Sequence, residues 1–343
     1  MVTNLKTLSR ENQTSKLKDS FGRTITNLRI SVTDRCNFRC RYCMPEEGMV
    51  WMEKGKLLTY EEIERLTVIF AELGINKVRL TGGEPLLRRD LHLLIKMISD
   101  IPGIQDLALT TNGYLLAEQA EKLVHAGLNR INISLDSLNP TKFNIITRRN
   151  HFDKVWKGIE TVEALGMNPI KINVVLIRGI NDDEILNFAN LARERSLIIR
   201  FIEFMPIGAD DGWSNDKVVP SEEIIKIMES GLEKKLVQIE NAHSQAAEQF
   251  IFEDGVGQIG FISSVSQPFC SNCNRVRITS DGKFLTCLFS HNETDLRKLI
   301  RENATDNDIK SILIDQVWNK EAGHLINRSG FVRPVRTMSQ IGG

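Results

Sequence analysis

The sequence predicts an α/β fold in which six βα units form an open, partial barrel, followed by a smaller region of mixed helix and strand. Three observations carry that expectation. Between residues 28 and 205, short β-branched runs alternate with longer stretches of helical period, the pattern of repeated βα units around a parallel sheet. Inside those runs polar and apolar residues alternate, so one face of each strand is polar. If helices cover the apolar faces, the polar faces line the interior, and a polar lining implies a lumen that holds water or a polar ligand. After residue 210 the βα alternation stops.

The elements follow in order. A first strand near 28–32 sets Leu28, Ile30 and Val32 against Arg29, Ser31 and Thr33. A helix over 60–73 begins with Thr59 and Glu62 as a capping box and stops at Gly74. The second strand, 76–81, runs into Thr81-Gly82-Gly83-Glu84-Pro85, where glycines at a strand end permit close backbone approach. Helices near 90–100, 115–126, 153–165 and 182–195 separate strands near 105–110, 130–135, 170–177 and 198–204. The fourth strand opposes Ile131, Ile133 and Leu135 to Asn132, Ser134 and Asp136, and the fifth opposes Ile172, Val174 and Leu176 to Lys171, Asn173 and Val175. Six strands are too few for a complete eight-stranded barrel. Beyond them come a short helix near 221–229, β-like segments, a hairpin turning at Asp281-Gly282, and helices near 293–302 and 306–320.

The 343 residues carry 44 basic and 44 acidic side chains, a balance that argues against a general nucleic-acid or membrane-surface binder. No apolar run is long enough to span a bilayer, and residues 1–20 are polar without a signal-peptide core, so they read as a disordered N-terminal extension. Six cysteines fall in two triplets, which points to metal ligation in a reducing cytoplasm and away from a secreted disulfide framework.

Cys36, Cys40 and Cys43, spaced Cys-x3-Cys-x2-Cys just after the first strand, supply three thiolates and omit a fourth. Three ligands on an iron–sulfur cubane leave one iron free for another ligand, whereas a structural zinc site closes its shell. The second triplet, Cys270, Cys273 and Cys287, lies across the hairpin, which on a two-residue turn places Cys287 opposite Val276. His291 completes a Cys3His set there, so zinc stays open for this triplet from the residues alone. Between its cysteines, Arg275 and Arg277 alternate with Val276 and project from one face, a pairing suited to phosphate. Together with the inward Arg29, Arg79 and Lys171 they make five cations aimed at one cavity, and a polyanionic substrate is the simplest reason to gather them. No Gly-x4-Gly-Lys-Ser/Thr phosphate loop and no His-Glu-x2-His pair occur. Thr110, Thr111, Asn112, Ser134 and Asp136 lie at strand ends as further pocket candidates.

The first cysteine loop, with Tyr42 just before its last cysteine, and the Gly-Gly-Glu-Pro element resemble the radical S-adenosylmethionine signature. With the second triplet, the Arg-x-Arg pair and Gly342-Gly343, the chain from about residue 21 resembles the GTP 3′,8-cyclase family of molybdenum cofactor synthesis. The resemblance implies an incomplete (βα)6 TIM-like barrel over 21–215 and an α+β region over 216–330 that closes the barrel mouth. A tail, 331–343, then enters the cavity. It implies a 4Fe-4S cluster on Cys36, Cys40 and Cys43, with Tyr42, Gly83, Ser134 and Met205 around S-adenosylmethionine. A second 4Fe-4S cluster on Cys270, Cys273 and Cys287 would bind GTP, with His291 a bystander. Arg29, Arg79, Thr110, Lys171, Arg275, Val276 and Arg277 match the family's GTP-contacting positions, and Arg277, Gly342 and Gly343 its catalytic ones. The implied reaction removes the ribose 3′ hydrogen of GTP and joins C3′ to C8 of guanine, giving 3′,8-cyclo-7,8-dihydro-GTP. Implied partners are cyclic pyranopterin monophosphate synthase and a low-potential electron donor of flavodoxin or ferredoxin type. A cytoplasmic enzyme is expected, with no nucleic acid or membrane contact, and a homodimer is allowed. Two rivals are a radical S-adenosylmethionine peptide modifier with an auxiliary cluster, and a binding protein with two zinc sites.

Overall fold

A computed structural model describes residues 16–208, 212–240 and 246–342. Six βα units come first, as the alternation requires. They are β1 (Asn27–Ser31), α1 (Tyr60–Glu72), β2 (Lys77–Thr81), α2 (Leu91–Ser99), β3 (Asp106–Thr111), α3 (Leu116–His125), β4 (Arg130–Ser134), α4 (Pro140–Thr147), α5 (Phe152–Ala164), β5 (Ile170–Leu176), α6 (Ile185–Glu194) and β6 (Leu197–Glu203). The capping box at α1 is present, with the Thr59 hydroxyl accepting from the Glu62 N–H at 3.2 Å and the Glu62 carboxylate accepting from the Thr59 N–H at 2.8 Å. Helix α4 was not expected. Its signal is Asn139-Pro140, where the Asn139 side chain accepts from the N–H groups of Thr141 and Lys142 and proline occupies the first helical position.

The second half supplies α7 (Ser221–Leu232), β7 (Leu236–Ile239), β8 (Glu248–Phe252), β9 (Gln258–Ile262), β10 (Arg275–Ile278), β11 (Lys283–Leu285), β12 (Thr294–Asp295), α8 (Leu296–Arg301), α9 (Asp306–Trp318) and α10 (Met338–Ile341). It joins the barrel instead of only covering it. The sheet runs β12-β11-β10-β1-β2-β3-β4-β5-β6-β9-β8-β7, with β10 parallel to β1 and β9 parallel to β6. Three strands of the later region therefore extend each edge of the six-stranded barrel, and the sheet stays open. Leu28, Ile30, Leu80, Ile131, Ile133, Ile172 and Val174 are fully buried under the helices, so the polar faces are left to the interior.

Two expectations need correction. Residues 16–20 belong to the folded body: Leu17 is buried beside Ile25, its N–H donates to the Leu73 carbonyl at 2.9 Å, and buried Asp19 pairs with Arg23. A single apolar residue in a polar segment hid this, and residues 1–15 lie outside the described residues. The hairpin turn has three residues, not two. Thr279 pairs with Lys283 through its N–H, and Gly282 takes a left-handed φ of 80° and donates to the Thr279 carbonyl. With Arg277 opposite Leu285, the register carries Cys287 opposite Arg275, not Val276.

Candidate active site

The barrel encloses a cavity of about 560 Å³, a size suited to a small-molecule ligand. Sheet direction fixes what lies at its two ends. Cys36, Cys40 and Cys43 follow the C-terminal end of β1. Cys270 and Cys273 precede β10, which is parallel to β1, and Cys287 follows the antiparallel β11. The triplets thus flank opposite ends of the strands, and the cavity wall includes Tyr42 from the first loop and all three cysteines of the second.

Between them the strand register aligns cations in rows. Arg277 of β10, Arg29 of β1 and Arg79 of β2 are lateral neighbours, as are Lys171, Asn132 and Thr110 on β5, β4 and β3. Burial, followed by Arg277 and Arg79, holds Arg29 well below the ordinary arginine range. Burial and then Arg200 press Arg79 in the same direction. Guanidinium groups keep their charge, so the crowding is a standing demand for an anion. The Nε atoms of Arg29, Arg79 and Arg200 are buried without a hydrogen-bond partner among the described residues, which strengthens that demand. Burial, followed by Arg200, Arg130 and Arg79, brings the Lys171 ammonium down to about 7.

Tyr42, Ser134 and Met205 line the cavity, and the Tyr42 hydroxyl donates to Asp136 at 2.6 Å. Burial raises Asp136 to about 6. Thr110, Lys171, Arg275 and Arg277 also line the cavity, with Arg275 stacked over Phe269 at 4.8 Å. Val276 does not. Its side chain is fully buried in the core behind the strand, so any ligand contact must come through its backbone. Gly83 packs against the cysteine loop: a Cβ there would lie 2.4 Å from the Arg35 carbonyl oxygen, so its smallness admits that loop's own backbone. Glu84 is likewise occupied, accepting from Thr111 Oγ1 at 2.7 Å, Asn112 N at 2.6 Å and Leu86 N at 3.0 Å. Gly342 reaches the lumen. Its carbonyl accepts from Arg277, and a Cβ on it would meet the Thr81 hydroxyl at 2.4 Å. Gly343 lies outside the described residues.

Sequence reasoning missed Lys77, Arg130 and Arg200, all in the cavity wall. Lys77 shares the Arg79 face two residues away, a signal that was present. Arg200 sits in Leu-Ile-Ile-Arg-Phe-Ile-Glu, where apolar residues on both faces erase the alternation.

All six cysteines are free and half-buried. Burial pushes Cys36 and Cys43 up to about 12, so their protons must leave on metal loading. Near Cys273 burial is outweighed by Arg275, Lys320 and Arg23, which bring its thiol down to about 7. Among the described residues no set of three or more His, Cys, Asp and Glu side chains converges on one ion position. His291 is exposed, with Nε2 3.2 Å from the Val332 carbonyl oxygen, and is not part of the cavity wall.

Residues 30–192 match the radical SAM superfamily, and residues 197–326 match the molybdenum cofactor synthesis C family. The chain is 46% identical over 327 residues to a GTP 3′,8-cyclase of Alkaliphilus metalliredigens, covering 95% of this chain and 100% of the relative. It is 43% identical to the GTP 3′,8-cyclase of Streptomyces coelicolor, covering 95% and 96%. This chain belongs to the GTP 3′,8-cyclase family. As a radical SAM member of that family it takes a 4Fe-4S cluster and S-adenosylmethionine, and the thiols of Cys36, Cys40 and Cys43 fit the cluster. Among solved structures, Streptococcus suis SuiB bound to S-adenosylmethionine superposes with a TM-score of 0.60 at 14% identity, covering 91% of this chain and 77% of SuiB. At that identity the likeness shows the barrel fold alone, so the peptide-modifier alternative has only the fold behind it.

Proposed function

We propose that this GTP 3′,8-cyclase family member converts GTP to 3′,8-cyclo-7,8-dihydro-GTP, an early step of molybdenum cofactor synthesis. The observation that carries the reading is the in-register row Arg277, Arg29 and Arg79, set in a lumen flanked by cysteine triplets at both ends. Cys270, Cys273 and Cys287 would hold a second 4Fe-4S cluster at the end of the cavity where Arg275 and Arg277 receive the nucleotide. Cys36, Cys40 and Cys43 would hold the first 4Fe-4S cluster, which with S-adenosylmethionine would supply the one-electron chemistry needed at the ribose 3′ hydrogen.

The chain's own residues bind, orient and exclude water. Arg29, Arg79 and Lys171 neutralise the triphosphate, with Thr110 beside them, while Arg275 and Arg277 hold the nucleotide against the second triplet. Val276 contributes through backbone. Tyr42, Gly83, Ser134 and Met205 frame S-adenosylmethionine. Arg277, Gly342 and Gly343 close the reacting end. The product passes to cyclic pyranopterin monophosphate synthase, and electrons come from a flavodoxin- or ferredoxin-type donor in the cytoplasm. No helix among the described residues is long and apolar enough to cross a membrane.

Anaerobic incubation of cluster-loaded protein with reductant, S-adenosylmethionine and GTP deuterated at the ribose 3′ position tests this. Deuterium in the 5′-deoxyadenosine supports the reading. Unlabelled 5′-deoxyadenosine overturns GTP as substrate.

A further inference from the structure

The segment leading to Gly342 is fixed at two places. Inside the barrel, Ser339 and Ile341 are buried and the Gly342 carbonyl accepts from Arg277. The Ser339 N–H also hydrogen-bonds the Cys43 thiol. Three residues before Ser339 lies the second anchor. The Arg336 guanidinium donates to both oxygens of Asp281, at 3.1 and 3.0 Å, and to both oxygens of Glu293, at 2.5 and 2.9 Å.

The position of these carboxylates makes the contact more than a surface ion pair. Asp281 lies in the turn of the hairpin that carries Arg275, Arg277 and, beyond its end, Cys287. Glu293 immediately precedes β12 of the same sheet edge. The three side chains are only 17%, 13% and 28% exposed, and Thr279 Oγ1 donates to Asp281 at 2.5 Å, fixing the carboxylate that receives the arginine. Two bidentate arginine–carboxylate pairs combine charge with fixed geometry, unlike an isolated exposed pair. Directly after Arg336, Thr337 opens α10 through a capping box with Gln340. A helix of four residues has no stability of its own, so its place depends on what holds its ends.

We propose that Arg336, clamped by Asp281 and Glu293, is the latch that seats residues 337–342 in the barrel mouth, and so is a positioning residue for the cyclisation. The latch ties the tail to the arm that carries the second triplet, while the seat lies beside the first. This inference rests on the reading of Gly342 as part of the reacting end.

The test is amide hydrogen exchange on the full chain, with and without clusters, in Arg336→Ala and Arg336→Lys and in the double variant Asp281→Asn/Glu293→Gln. Exchange over 337–342 should accelerate by about ten-fold or more in Arg336→Ala, equivalent to roughly 1.4 kcal/mol, with β1 to β6 unchanged. Arg336→Lys, which keeps the charge and loses the fork, should fall between. In loaded enzyme, GTP cyclisation should drop while iron content and 5′-deoxyadenosine formation stay at the parent level. Unchanged exchange over 337–342 in the folded variants overturns the latch, whatever happens to turnover. If Arg336→Ala loosens the barrel strands as well, the double variant decides by the same criterion. A parent that makes no cyclic product while exchange still responds would overturn the functional reading and leave the latch standing.

Discussion

Arg29 and Arg277 are paired at the same register on adjacent parallel strands, two guanidinium groups side by side inside the barrel. Like charges so placed repel unless an anion lies between them, and Arg277 is among the causes that hold Arg29 below its ordinary range. Arg277→Ala should therefore leave both metal sites assembled and relieve the repulsion on Arg29, while losing the bond to the Gly342 carbonyl. A lost charge-assisted contact to a triphosphate costs about 1.5–3 kcal/mol, or roughly ten- to hundred-fold in GTP affinity. Equilibrium binding and iron analysis on the same preparation check this. Parent-like affinity would make the arginine pair plain barrel wall.

Lys171 gives the site a pH dependence with a definite sign. In the empty barrel its ammonium is brought down to about 7 by burial and by Arg200, Arg130 and Arg79, so at pH 8 it is mostly neutral. A bound triphosphate restores the charged form toward the ordinary lysine value of about 10.4. Binding then takes up a proton, and affinity falls as pH rises above about 7, by at most about ten-fold per unit. Calorimetric titration at pH 8 in two buffers of different ionisation enthalpy should show uptake of close to one proton, and Lys171→Met should abolish it. Equal apparent enthalpies for the parent in the two buffers would place Lys171 outside the phosphate site.

Much of this arrangement is legible in the chain because a strand facing a lumen must alternate. Arg29, Ser134 and Lys171 are recoverable by counting twos from their apolar neighbours, and the structure puts each in the cavity wall. Counting fails where both faces are apolar, which is why Arg200 escapes notice in β6. It also carries no information on depth: Val276 sits between two cavity arginines and faces the core. The hairpin register turned on one residue, because Gly282 serves as a left-handed third loop position instead of the second of two. Contacts between distant segments leave no periodic trace at all. Nothing local to Arg336 announces Asp281, and nothing local to Leu17 announces Leu73.

The role of Gly83 is decided by space. A methyl group there would sit 2.4 Å from the Arg35 carbonyl oxygen and 2.6 Å from that of Asp34, both backbone atoms that cannot rotate away. The same approach carries the bonds from Gly83 N to Thr33 O at 2.7 Å and from Glu84 N to Arg35 O at 2.8 Å. Gly83→Ala should push the strand end from the cysteine loop, break these bonds and displace Cys36, the next residue. Expected is loss of about half the bound iron, in keeping with one cluster of two. Gly48→Ala serves as the comparison, since a Cβ at Gly48 meets nothing within 4 Å and only its φ of 79° resists the change. Full iron in Gly83→Ala would mean that the cysteine loop is not registered by this contact.

The two triplets can be separated by counting metal. If each holds a 4Fe-4S cluster, the anaerobically reconstituted parent should carry about eight irons and eight sulfides, and Cys36→Ala and Cys287→Ala should each retain about four. The variants should then diverge in chemistry. Cys36→Ala should form no 5′-deoxyadenosine from S-adenosylmethionine and reductant, because the cluster that reduces it is gone. Cys287→Ala should still form it and fail to cyclise GTP, because what is lost lies beside Arg275 and Arg277 at the other end of the cavity. The zinc alternative makes a different count: about four irons and one zinc in the parent, with iron unchanged in Cys287→Ala. That count would remove the second cluster while leaving the first intact. Parent-like 5′-deoxyadenosine formation in Cys36→Ala would instead overturn the assignment of the first triplet, since no other cysteine set follows the C-terminal end of β1 among the described residues.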